Sequence, residues 1–415
     1  MERLSKSIQS RPLSSRPLWI LLLLYSFAVS FRIEISESLL AATVLYYLYW
    51  KLRYHRHFPA LSLFVPLLFF IACNIVSAIF SLEPAVSSWR LKQMLLFVII
   101  PVFYDSLEEP AEDIKTIHTV LIASVLLSCA RGLYQFFTVK GELITNRMTG
   151  FLGHWMTFSG ILMMVTIILF SYLIFARDRP RWFYAAFAIC ILTLLLSLTR
   201  NAWLGFLTAS FILVSFKEPR WLFAVPAAAL VVFIASIWIF PSVVSQRISN
   251  TFNTTELSNR DRLEMLNSGL QIIRDHPWTG VGGGMMHSIY RHYRSPASIQ
   301  VDRSHLHNNF VQIAAEYGLI TLAAWLWLIG KIVMDLARLL TEVRGEEKIF
   351  VQGALAVVAS LLIAGLFEYN FGDSEVLMVF LILITLPFAF LKQPRKLRPV
   401  HLQTERVEGA ALRAV

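Results

Sequence analysis

Five of the chain's ten histidines lie between Pro241 and Asn309. The stretch ends in His305-Leu306-His307-Asn308-Asn309, directly before an apolar run. A neutral imidazole near pH 7 can take a proton from a hydroxyl as that hydroxyl attacks, which makes His307 the candidate base. The ordinary alternative for one histidine is a structural role; Asn308 and the mouth of an apolar helix beside it favour chemistry. His305 and His307 could also begin a zinc site, but two ligands are too few and no third has metal spacing, so no metal is expected. Arginine is the second informative residue type, because its planar fork makes paired, charge-assisted bonds to phosphate. Arg200 stands in the tight turn Leu198-Thr-Arg-Asn-Ala202 between two apolar runs. Either it snorkels to an interface or it points at an anionic headgroup. Arg260 and Arg262 open the segment 257–275, where Ser258 or Asn259 can cap a helix and Leu263, Leu266, Leu270 and Ile273 recur at helical spacing. Arg262 is a second candidate phosphate ligand, against the alternative of a solvated charge. Arg147 lies in Asn146-Arg-Met-Thr-Gly-Phe-Leu-Gly-His154. Glu368, Asp373 and Glu375 could orient the histidine, bind sugar hydroxyls, or form an ordinary polar turn.

The elements that must hold these residues are membrane helices. The 415-residue chain is 56% hydrophobic and only 15% charged, against about 25% charged in soluble domains. Its mean hydropathy is +0.61. Apolar runs near 20 residues recur, each the length of a bilayer-spanning helix. Spans are expected at 17–31, 37–50, 60–80, 91–104, 116–137, 154–176, 182–198, 202–216, 220–240, 310–336, 348–367 and 374–391. The first follows Arg3, Lys6, Arg11 and Arg16 like a signal peptide, but no small-residue cleavage site follows it, and it is read as a retained helix. The fold class is therefore an all-α polytopic membrane protein. Residues 1–240 form an N-terminal bundle, 241–309 one long polar loop, 310–391 the C-terminal spans and 392–415 a basic tail.

Lys51, Arg53 and Arg56, then Arg177, Arg179 and Arg181, and the tail Lys392, Arg395, Lys396 and Arg398 mark the cytoplasmic face, with the N-terminus inside. Arg147, Arg200, the 260–262 segment, the His307 cluster and the 368–375 segment then converge on the opposite face. The net charge of +10 flanks helix ends, which fits membrane lipids as partners and not nucleic acid. Cys73, Cys129 and Cys190 sit in apolar runs and indicate neither a disulfide nor a thiolate site. Asp275-His-Pro-Trp-Thr-Gly280-Val-Gly-Gly-Gly284 is a glycine turn, without the strand and spacing of a dinucleotide loop, suited to backbone geometry and close approach of a substrate.

These residues resemble the bacterial O-antigen ligase and polymerase family of membrane glycosyltransferases. Arg262-Leu263 followed by Asp275-His-Pro-Trp-Thr-Gly280-Val-Gly282 looks like that family's loop signature. His307-Asn308, nine residues, then Gly318 resembles the ligase motif, with Thr321 where a second glycine is usual. Ser197-Leu-Thr-Arg200 and Arg147-Met-Thr-Gly150 also look like the family. The resemblance implies a glycan donor on undecaprenyl pyrophosphate and a lipid A-core sugar as acceptor. It implies an inverting displacement without metal or other cofactor, at the periplasmic face of the inner membrane. Carried over, Arg200 and Arg262 match the pyrophosphate ligands and His307 the base, with Arg147, Arg260, His305, Asn308, Glu368 and Asp373 supporting. A polymerase of O-antigen or exopolysaccharide, or a protein O-oligosaccharyltransferase, would share the donor. A transporter is the reading from a different class, disfavoured because the charges cluster at the outer edge and not at mid-membrane.

Overall fold

The computed structural model describes residues 2–9, 11–138, 147–227, 231, 234, 238, 257–294 and 302–392. All regular elements among them are helical, as expected of an all-α polytopic membrane protein. In chain order, α1 is Glu2–Gln9, α2 Arg16–Ala28, α3 Ile33–Arg53, α4 Phe64–Ile79 and α5 Pro84–Arg90. A 3-10 stretch Leu91–Val98 leads into α6 Ile99–Ser106, followed by α7 Pro110–Thr138, α8 Trp155–Phe175, α9 Trp182–Leu196 and α10 Arg200–Lys217. After them come α11 Leu257–Asp275, α12 Met286–Tyr293, α13 Asn309–Glu342, α14 Glu347–Ala364 and α15 Ser374–Thr385, the last running on as a 3-10 turn to Lys392.

Six described segments are long and apolar enough to cross a membrane: Pro84–Ser106, Pro110–Thr138, Trp155–Phe175, Asn309–Glu342, Glu347–Ala364 and Ser374–Lys392. Arg16–Ala28, Phe64–Ile79 and Trp182–Leu196 are shorter apolar helices. The spans expected at 37–50 and 202–216 coincide with α3 and α10. Most of the span expected at 220–240, residues 241–256 and 295–301 of the long loop, and the tail from 393 lie outside the described residues.

Two faces are distinguishable by their polar contacts. On one, Arg11 pairs with Asp113 at 2.5 Å, Lys51 pairs with Asp105, and Lys392 donates to the Asp105 carbonyl at 3.2 Å. These bonds tie the chain start, α3, α6, α7 and the chain end together. On the other face lie the connection from α11 to α13 and the segment 365–373, which hold the candidate residues.

Helix α13 is broken at Gly318 (φ 85°, ψ 167°), a conformation open to glycine because it has no Cβ. A break inside a spanning helix strands backbone groups that hydrocarbon cannot satisfy. The 277–284 loop satisfies them. Val281 N donates to Ala315 O at 3.0 Å, Gly282 N to Glu316 O at 2.7 Å, and Leu319 N to Pro277 O at 2.8 Å. The Ser77 hydroxyl on α4 reaches Thr279 O at 2.7 Å. A Cβ on Gly318 would strike the Trp278 carbonyl, and one on Gly280 the Glu316 backbone. The glycine turn, expected to serve backbone geometry and close approach of a substrate, packs against the α13 backbone.

Helix α11 buries one set of residues and exposes another. Asp261, Met265, Ser268 and Ile272 are buried, whereas Leu263 and Leu270 are each 52% exposed. Apolar spacing marks a surface shielded from water and does not distinguish protein core from lipid or headgroup; of the expected apolar face, Leu266 and Ile273 are half-buried and Leu263 and Leu270 face out.

Gly318→Ala is expected to destabilise the fold by about 1–3 kcal/mol from backbone strain alone, with the Trp278 clash added. A lower thermal unfolding temperature of the detergent-solubilised protein checks this; an unchanged one contradicts the docking of the loop into the break.

Candidate active site

His307 is presented at the N-terminus of α13 in a backbone conformation that ordinary residues avoid (φ 51°). Such a conformation costs about 1–3 kcal/mol, and the surroundings must hold it. They do so on both sides. The Gln312 side-chain Oε1 accepts from Leu306 N at 2.7 Å, folding the His305-Leu306-His307 segment back on the first turns of α13. Asn308 caps the helix, its side-chain oxygen accepting from Phe310 N at 2.9 Å and Val311 N at 3.1 Å. Its amide donates to Leu366 O at 3.0 Å. Asn309 donates through its backbone to Gly365 O at 2.7 Å and through its amide to Asn370 Oδ1 at 2.6 Å, and it accepts from Phe371 N at 3.1 Å. One cap of this kind contributes about 1 kcal/mol. Together these bonds fasten the start of α13 to the segment between α14 and α15.

That fastening brings Glu368 to His307. Nδ1 of His307 lies 2.7 Å from Glu368 Oε2, and the carboxylate is buried. Tyr369 N donates to its other oxygen at 3.1 Å. Burial alone would raise the Glu368 carboxyl. The bond from His307, then the charges of His307, His305 and Arg262, outweigh it and hold the group below the usual carboxylate range. A carboxylate on Nδ1 fixes the tautomer and leaves Nε2 as the proton acceptor. The His305 ring stands edge-on to that of His307, centroids 4.2 Å apart. Burial pushes the His305 imidazolium down to about 4, against the opposing pull of Glu368, so the ring is neutral at physiological pH.

The phosphate-ligand candidates come from a second group of helices. A reverse turn with Leu198 at φ 54° joins α9 to α10. Gly205 lets α10 lie so close to α14 that a Cβ would touch the Ser360 carbonyl. Arg200 is the first residue of α10, where the helix dipole is already positive, so an anion there meets two attractions at once. Its guanidinium donates to Asn259 Oδ1 at 2.9 Å. Asn259 stands one turn before Arg262 on α11, and the Arg262 charge acts on Glu368. Arg200, Arg262, Glu368 and His307 are thus connected across α10, α11, α13 and the 365–373 segment.

Beside them is a cavity of about 200 Å³. Asn201 and Ala202 line it from α10, and His305, Glu368, Tyr369 and Asp373 from the middle. His307 and Arg200 stand behind this lining, against Glu368 and next to Asn201. Asp373 caps α15 through Val376 N at 3.1 Å and takes the Thr157 hydroxyl. His154 lines the cavity too, with Arg147 over the adjacent Trp155 ring at 5.4 Å. Arg260 is exposed on α11 and is the one arginine of the set outside this arrangement.

His305, His307 and Glu368 also offer three ligand-type atoms within 4.8 Å of one another. The third was out of reach of spacing arguments, because Glu368 comes from 61 residues beyond His307. Sequence reasoning missed Arg90, Glu316 and Tyr317, which line the far side of the cavity. A signal existed for two of them. The loop 81–90 joins two expected spans on this same face, and Glu316 is an ionisable residue in an apolar helix, a functional indicator in itself.

Residues 185–326 match a family model described as O-antigen ligase. The match takes in Arg200, Arg262, His307 and Gly318, and leaves Arg90, Arg147 and Glu368 outside. A comparison with curated proteins finds no match.

Because the folded state holds His305 neutral, acid destabilises it. The unfolded imidazole protonates near its ordinary value of about 6.5, so stability is full above that pH and falls as pH drops toward about 4. His305→Asn is expected to flatten this part of the thermal-stability profile; an unchanged slope between pH 6.5 and 4 contradicts the assignment.

Proposed function

We propose, on the premise that residues 185–326 form an O-antigen ligase domain, that this membrane protein transfers a glycan from undecaprenyl pyrophosphate to a sugar hydroxyl of lipid A-core. The reaction takes place at the periplasmic face of the inner membrane, in lipopolysaccharide biosynthesis. The observation that carries the reading is the His307–Glu368 pair at 2.7 Å beside a cavity that α10 also borders, with Arg200 at the start of α10 bonded to Asn259 on α11.

The acceptor hydroxyl attacks the anomeric carbon while its proton passes to Nε2 of His307. The bond from that carbon to the pyrophosphate oxygen breaks, and its electron pair leaves with undecaprenyl pyrophosphate. A single displacement of this kind inverts configuration. Glu368, negative and buried, stabilises the imidazolium that forms. Arg200 and Arg262 meet the charge that grows on the leaving group, and fixed cations in a partly dry site cost no reorganisation as it appears. Holding donor and acceptor together removes much of the entropic barrier.

In a host lacking the gene, the lipid A-core is expected to carry no O-antigen, with the polymer retained on its lipid carrier. The wild-type gene restores the ladder on a lipopolysaccharide gel. Loss of a general base costs about 10²–10⁴-fold and loss of a charge-stabilising donor about 10²–10³-fold, so His307→Ala and Arg200→Ala are expected to leave the ladder absent at normal membrane abundance. A ladder restored by both variants would overturn these roles. A core bearing a single repeat unit would make the protein a polymerase that uses a second lipid-linked glycan as acceptor. The His305–His307–Glu368 cluster supplies a second check. Under this reading transfer persists in a chelator, whereas loss restored by a divalent cation would turn the cluster into a metal site.

A further inference from the structure

The central cavity has a second side, away from Arg200 and Arg262. Arg90 and Gly284 line it there, and both also line a separate open cleft of about 690 Å³ with Ala85, Val86, Trp89 and Lys92. The two spaces therefore meet at Arg90 and Gly284. Gly284 keeps the junction passable. It has φ 79°, and a Cβ there would lie 2.8 Å from Arg90 Nε. Glu316, whose carboxylate accepts from Gly284 N at 3.0 Å and Met286 N at 3.3 Å, holds the turn in place and lies within electrostatic reach of Arg90.

The chemistry of this cleft is specific. Trp89 is 71% exposed, and Val86 is exposed beside it. The Lys92 ammonium sits 5.0 Å from the centre of the Trp89 ring. Arg90 is exposed at the junction itself. An apolar wall of tryptophan and valine with two cations along it fits an amphiphile whose headgroup is anionic.

Two lipid-borne substrates must reach one cavity, and they cannot pass through the same opening together. The side bearing Arg200 is built by α10 packed on α8 and α14, whereas α5 packs on α4. We propose that the Trp89–Arg90–Lys92 cleft receives the acceptor, a phosphate-bearing glycolipid, while the donor pyrophosphate is held at Arg200 and Arg262. The assignment rests on the transferase reading above and adds the acceptor's route and the charge that guides it.

The test uses the full chain in phosphatidylcholine vesicles, which carry no net charge to compete for the cleft. With a lipid-linked glycan as donor, lipid A-core is titrated against wild type and the Arg90→Gln/Lys92→Gln double variant. The acceptor KM is expected to rise about tenfold, the scale of a lost charge-assisted contact, with donor KM within about twofold. Removing the phosphates from the acceptor is expected to raise the wild-type KM comparably and to add little in the variant, as for two changes to one interaction. A rise in donor KM instead, or an unchanged acceptor KM, overturns the assignment. A photo-crosslinking amino acid replacing Trp89 in otherwise wild-type protein guards against misfolding of the double variant. An adduct with the phosphorylated acceptor supports the cleft's role, and an adduct with the donor alone or none at all contradicts it. If the wild type itself fails to glycosylate lipid A-core but transfers to another acceptor, the ligase reading fails first. If the wild type transfers and the cleft variants match it, only the cleft assignment fails.

Discussion

A buried carboxylate facing an imidazole, Glu368 against His307, is the constraint around which the site is arranged. Taking a carboxylate out of water is costly unless it is paired and hydrogen-bonded. Glu368 is both, through His307 Nδ1 and Tyr369 N. The same contact helps hold His307 in its left-handed backbone conformation: a hydrogen bond to a charged group contributes about 1.5–3 kcal/mol, comparable to the strain. The asparagines at 308, 309 and 370 serve this geometry, since without them the start of α13 and the segment after α14 would be free to separate. The break at Gly318 has a related effect. It opens α13 to the 277–284 loop, which in turn brings Gly284 and Arg90 to the opposite side of the cavity.

The site is thus asymmetric in charge. Glu368 is buried and held by hydrogen bonds from His307 and Tyr369 N, whereas Arg200 adds its charge at the positive end of a helix. An arrangement that concentrates positive charge at a helix start is unfavourable for folding and favourable for binding an anion, and such local conflicts are expected at functional sites. The opposite face shows the contrasting pattern, with Arg11, Lys51 and Lys392 each met by a carboxylate or carbonyl partner and serving cohesion.

Much of this was legible in the sequence. Apolar runs marked the helices, and charge placement set the candidate residues on one face. His307-Asn308 and Gly318 stood out by spacing, and each has a physical role: Asn308 as the cap and Gly318 as the break. What the sequence could not convey was pairing at a distance. Glu368 was one of three acidic residues in a polar turn, and only the Asn309–Asn370 clasp decides that it, and not Asp373, meets His307. Asp373 turns instead to cap α15. The spacing of the leucines at 263 and 270 did not say which face of α11 turns inward, because they suit an apolar environment of any kind, while the helix buries Met265 and Ile272. Arg90 was passed over because its partners, Gly284 and Glu316, come from chain segments about two hundred residues away.

The central claim is that one displacement, with His307 as base, moves a glycan from its pyrophosphate carrier to a sugar hydroxyl. The most direct measurement is transfer by purified protein in vesicles, scoring glycosylated acceptor and released undecaprenyl pyrophosphate in the same reaction with chelator present. The account predicts equal amounts of both products from wild type, with an inverted anomeric linkage, and neither product from folded His307→Ala. Release of undecaprenyl pyrophosphate without acceptor glycosylation, a retained configuration, or full transfer by His307→Ala would contradict it.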